Sequence, residues 1–129
     1  MGIALVCISL LGLLVFGLGL AVSLTRQSSH KSIGNSSDPT DRLHKLVRAH
    51  GNTCEYAPIL AILFFVVGGR NPEFWIHLVM ILTTGARYAI VAGLVASPSL
   101  DKPHPLRFAG ATVTYAGVLF LSLAVLFGS

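Results

Sequence analysis

The chain is 129 residues long, the size of a single domain, and 53% of it is hydrophobic while only 11% is charged. Soluble domains carry roughly a quarter charged residues, so a water-facing surface is excluded and a membrane is the solvent that fits. The formal net charge of +4 does not point to nucleic acid. The basic residues gather in two connecting segments, and the aromatic–basic interleaving of single-strand binders is missing.

The first apolar run, 1–24, has no charge before Arg26. About 20 apolar residues span a bilayer as a helix. A signal peptide would have a basic start and a shorter apolar core, so this run reads as a retained transmembrane helix. Gly17 and Ala21, four apart, suit close helix packing. The segment 25–41, rich in Ser, Gly and Asn, reads as a flexible loop. Its end, Asp38-Pro39-Thr40-Asp41, can start the next helix with Thr40 or Asp41 as N-cap.

The second helix is predicted over 42–67, polar in its first half and apolar from Ala57 onward. Pro58 lies inside it and predicts a bend or a loosened turn. Gly68-Gly69-Arg70-Asn71-Pro72 reads as a tight turn. A third helix, over 73–96, carries Arg87. The three-proline segment 97–106 follows as a short rigid loop, and a fourth helix covers 107–127. The predicted fold is all-α: one four-helix transmembrane bundle over 1–129.

Four spans place the first and third loops on one side. Those loops and their flanks hold Arg26, Lys31, Arg42, Lys45, Lys102 and Arg107, whereas the other side holds Arg70. The positive-inside rule puts the basic side in the cytoplasm and both termini opposite it. An integral, multi-pass protein of a bacterial inner membrane is the expectation.

The chemistry concentrates on the second helix. His44, Arg48, Asn52, Glu55 and Tyr56 fall at offsets that share one face. Charges inside a bilayer are costly and normally face the bundle interior or a wet cavity. Arg48 and Glu55 stand about 10 Å apart along the axis, a spacing that suits the two ends of a small zwitterion. The same residues could instead form a network that only joins helices. Arg87 lies deep enough to need an internal partner, such as Glu55 or a ligand carboxylate. Arg107 could hold an anion or favour a thiolate. His50 sits on the flank of the stripe, and His104 is a loop residue without a nameable partner. Cys7 and Cys54 read as small packing residues, and neither cysteine nor histidine spacing forms a metal site.

The run Arg48-Ala49-His50-Gly51-Asn52-Thr53-Cys54-Glu55-Tyr56-Ala57-Pro58 resembles the signature of the MAPEG family, membrane-associated proteins in eicosanoid and glutathione metabolism. Length, four spans, a long first loop and a third-helix arginine resemble that family too. The resemblance implies a homotrimer with glutathione bound between subunits near the cytoplasmic face. Arg48, Asn52, Glu55, Tyr56 and Arg87 would bind the glutathione, and Arg107 would stabilise its thiolate. It implies a transferase or peroxidase like the microsomal glutathione transferases, acting on lipophilic electrophiles or lipid hydroperoxides. No metal is implied, and membrane lipid is the remaining partner. The chain departs from the pattern at Ile90 and Leu94, where several eicosanoid-making members carry tyrosine or histidine and then tyrosine, and at Phe108, where some have serine. A non-catalytic lipid-binding or scaffold protein on the same fold is the alternative, and a small transporter is a third reading.

Overall fold

The computed structural model describes residues 1–128. Four helices follow in order: α1 (Gly2–Ser28), α2 (Arg42–Gly68), α3 (Phe74–Ala96) and α4 (Pro105–Phe127). All four are long and apolar enough to cross a membrane. Side chains such as Leu13, Phe16, Phe108 and Leu126 stand exposed on the outer surface, the pattern expected when lipid rather than water is the solvent.

The helix boundaries have local causes. Asp41 caps α2, its carboxylate accepting from the His44 amide at 2.9 Å, which settles the choice between Thr40 and Asp41. Helix α1 runs four residues past its predicted end, and within that stretch the Thr25 Oγ1 donates back to the Ala21 carbonyl at 2.7 Å. Arg26 in that last turn also complements the helix dipole. Helix α4 starts two residues early, at Pro105. Proline is favoured in the first turn, where its missing N–H is no loss, and the His104 ring accepts from the Leu106 amide at 3.2 Å. Pro58 does not interrupt α2, which continues through it. The proline sits on the exposed face and frees only the Cys54 carbonyl.

Small residues set the closest approaches, though not at the predicted place. Gly17 is exposed, with nothing near the position of a Cβ. Instead, a Cβ on Gly68 would meet Ala4 Cβ at 2.5 Å, and one on Gly117 would run into the Thr83 side chain. These contacts lock α1 to α2 and α3 to α4. At the end of the bundle away from the basic loops lies a close-packed core of Leu60, Phe64, Val67, Ile76, Met80 and Leu121. There Arg70 Nη1 reaches the Val125 carbonyl at 3.2 Å, tying the α2–α3 turn to the end of α4. At the basic end, the Leu100 amide donates to the Pro39 carbonyl at 3.0 Å and joins the two long loops.

Candidate functional site

The basic end of the bundle is hollow. A cavity of about 520 Å³ lies between α2, α3, α4 and the loop before α4. That volume falls within the range of small-molecule sites, ~300–1,000 Å³. Helix α2 contributes His44, Arg48, Asn52 and Tyr56, each one turn beyond the last. Helix α3 adds Arg87, Ile90 and Leu94, while Arg107, Phe108 and Tyr115 come from α4. Among the described residues no carboxylate lines the cavity, so three arginines face it without a counter-charge.

Arg87 anchors the inner end. It is 1% exposed, and its Nη2 donates to the Asn52 main-chain carbonyl at 3.1 Å and to the Asn52 side-chain oxygen. Its guanidinium carbon stands 4.6 Å from the centroid of the Tyr56 ring, a cation–π geometry. Its partner is therefore Asn52 with Tyr56, and not the expected Glu55. The Arg87 Nε is buried and has no hydrogen-bond partner among the described residues. A buried donor left unpaired costs about 1–3 kcal/mol.

Tyr56 extends the network. Its hydroxyl donates to the Tyr115 hydroxyl at 2.9 Å, and the two rings meet edge to face with centroids 5.9 Å apart. At the mouth, Arg107 Nη1 donates to the Leu100 carbonyl at 3.1 Å and the Lys102 carbonyl at 3.2 Å. Arg107 thus fixes the loop that forms the rim while still facing the cavity. Ile90 and Leu94 make the α3 wall aliphatic at the two positions where relatives were expected to carry polar rings.

Five of the six expected site residues, Arg48, Asn52, Tyr56, Arg87 and Arg107, are brought to this cavity. Glu55 is not among its lining residues and stands exposed on the outer face of α2, beside Tyr56. The reason is rotational. Offsets of four residues drift about 40° per step around the helix, so the line 44–48–52–56 turns inward toward α4. An offset of seven returns about 20° the other way and leaves Glu55 above Arg48 on the open side. Arg48 is itself exposed, so the open edge carries one charge of each sign.

His104 and Tyr115 are among the cavity residues that lie outside the expectation. His104 caps α4 and also lines the mouth, a role that loop composition does not reveal. Tyr115 reads in the sequence as one aromatic in an apolar run, yet it shares a face with Phe108 and Ala111 at offsets of seven and four. Cys54 is corrected as well. It is exposed rather than packed inside, with Sγ 3.4 Å from His50 Nε2, and the His50 ring rests against Gly19 of α1. Cys7 is buried, as expected of a packing residue.

Helices, cavity and charge distribution define an integral, multi-pass membrane protein with a cationic site at one end of its bundle. The family model of the MAPEG family matches residues 4–127. The chain belongs to the MAPEG family, over nearly its whole length. No curated protein matches it.

Proposed function

We propose that the protein is a glutathione-dependent membrane transferase of the microsomal glutathione transferase kind, acting on lipophilic electrophiles and lipid hydroperoxides. One observation carries this reading. The cavity gathers Arg48, Arg87 and Arg107 without a lining carboxylate, and its buried guanidinium keeps an unused donor. Glutathione brings two carboxylates and an ionisable thiol, which is what such a site can bind. Its ammonium needs an acid, and Glu55 is available on the open edge next to Tyr56.

The exposure of Arg48 and Glu55 supports assembly. Charges on a membrane-spanning helix are costly against lipid, so a second copy of the chain covers this edge, and the homotrimer is the arrangement proposed. Glutathione then lies between subunits, in the leaflet on the side of the basic loops. That side faces the cytoplasm of a bacterial inner membrane in this reading.

In the chemistry, the thiolate of glutathione is the nucleophile. Arg48, Asn52, Tyr56, Arg87 and Glu55 hold the peptide in place. Arg107, fixed by the Leu100 and Lys102 carbonyls, favours the charged sulfur. The electrophile enters from the bilayer across the exposed face of α4.

A non-catalytic lipid-binding role has one observation in its favour, the aliphatic α3 wall of Ile90 and Leu94. Calorimetry and ultraviolet thiolate absorption on the purified protein separate the two readings. Glutathione is expected to bind with its thiol pKa depressed, and Arg107→Ala is expected to return that pKa by about 1–3 units. Binding with an unshifted thiol would support the scaffold, and no binding at all would end the transferase reading.

A further inference from the structure

Helix α4 turns Phe108, Ala111 and Tyr115 to the cavity, and Phe108 and Tyr115 are also 78% and 61% exposed on its outer surface. A lipophilic molecule arriving through the bilayer therefore meets an apolar wall with a phenol about 12 Å along the axis from Arg107. One hydrogen bond of 2.9 Å joins the Tyr56 and Tyr115 hydroxyls and uses one of their two protons. The other has no acceptor among the described residues, and with Tyr56 donating it is the outward Tyr115 that carries it. Behind Tyr56 stands Arg87, stacked on the ring at 4.6 Å. The order is cation, phenol, phenol, open surface.

We propose that Tyr115 is a catalytic proton donor, and that the chain of Arg87, Tyr56 and Tyr115 selects lipophilic α,β-unsaturated carbonyl compounds as the second substrate. This rests on the glutathione reading above. Glutathione supplies the nucleophile: its sulfur bonds to the β-carbon, the carbon–carbon π bond breaks, and the electron pair moves to the carbonyl oxygen. Tyr115 O–H lies where it can donate to that oxygen, and it passes its proton across as the charge develops. The Tyr115 oxygen takes the Tyr56 proton in turn. Negative charge then rests on Tyr56, whose ring stacks on the Arg87 guanidinium at 4.6 Å. Tyr56 regains the proton that the glutathione thiol gave up on ionising, and the enol relaxes to the saturated carbonyl. Atoms and charge balance without an oxidant or reductant.

The chemistry separates two electrophiles. In addition to an enal the developing oxyanion needs a proton. In substitution of an aryl chloride the departing pair leaves on chloride, which needs none. With the full chain in lipid nanodiscs, Tyr115→Phe is expected to lower kcat/KM for nonenal by about 100-fold, the scale of one positioned proton donor. The loss for chlorodinitrobenzene should be several-fold smaller. Without glutathione, nonanone offers the same carbonyl acceptor and no reactive double bond. Its affinity, by calorimetry, should fall about 2- to 10-fold in the variant, the value of one hydrogen bond. Equal losses for both electrophiles, or an unchanged nonanone affinity, would overturn the role of Tyr115 and leave the glutathione reading standing. Failure of the unsubstituted protein to bind glutathione would remove both.

Discussion

The two ends of the bundle are made from the same four helices and reach opposite solutions. Away from the basic loops, Leu60, Phe64, Val67 and Met80 are all fully buried, and Gly68 lets α1 come close at Ala4. At the basic end, α2 carries His44, Arg48 and Asn52 where its other half carries Leu60, Phe64 and Val67, and the helices enclose about 520 Å³ instead of closing. Helix α2 passes from one regime to the other near Pro58. The basic end is not unpacked throughout: Leu14, Leu18, Leu43, Leu46 and Ala49 form a second buried cluster on its α1 side, so the opening is confined to the side where the three arginines lie.

The contrast is testable by moving each half separately. The largest effect is expected from Phe64→Ala, which should lower stability in detergent by about 3–5 kcal/mol through the cavity it leaves. Glutathione affinity of the protein that remains folded should be untouched, because Phe64 is far from the lining residues. If thermal unfolding and calorimetry show both falling together, the halves are not independent. Arg87→Met should do the reverse. Removing the charge-assisted contacts should weaken glutathione binding by about 1.5–3 kcal/mol. Thermal stability should change less than in Phe64→Ala, since burying an unpaired cation is itself costly. A large fall in unfolding temperature would mean that Arg87 is structural cement.

The smallest effect lies outside the membrane, in the turn that starts α2. The Thr40 amide donates to Asp38 Oδ1 at 2.9 Å and the Thr40 hydroxyl does so at 2.7 Å. These bonds, the amide's first, hold the Asp38 carboxyl below its usual 3.8. A depressed value means that the turn is held above that pH and released as pH falls through the lowered value. Hydrogen exchange at the Thr40 amide should therefore lose protection only below about pH 4. Asp38→Asn should abolish that pH dependence.

Much of this was readable from residue spacing, and the exceptions are instructive. The four spans follow from apolar run length, and Arg48 and Asn52 follow from offsets of four. Glu55 belongs by angle to the same face, about 20° from Arg48. What spacing lacks is the position of α4, which covers the inward side of the stripe and leaves Glu55 on the open one. The pairing of Arg87 with Asn52 and Tyr56 is likewise a matter of which helices neighbour each other. Tyr115 and His104 escaped notice for a different reason: an aromatic in an apolar helix and a histidine in a proline-rich loop look ordinary until the cavity gives them a setting. Cys54 is expected to pack because a free cysteine is commonly buried, yet it stands on the exposed side of α2, beside His50.

The clamp on Leu100 has a kinetic meaning. Its amide is held by the Pro39 carbonyl and its own carbonyl by Arg107, so this rim residue is fastened to both neighbouring elements. Widening the mouth there means breaking one neutral and one charge-assisted hydrogen bond, roughly 2–4.5 kcal/mol together. A tenfold slower exit needs only about 1.4 kcal/mol. If the occupant leaves past this rim, the two bonds set its dwell time as well as its fit, since Leu100 and Arg107 also line the cavity.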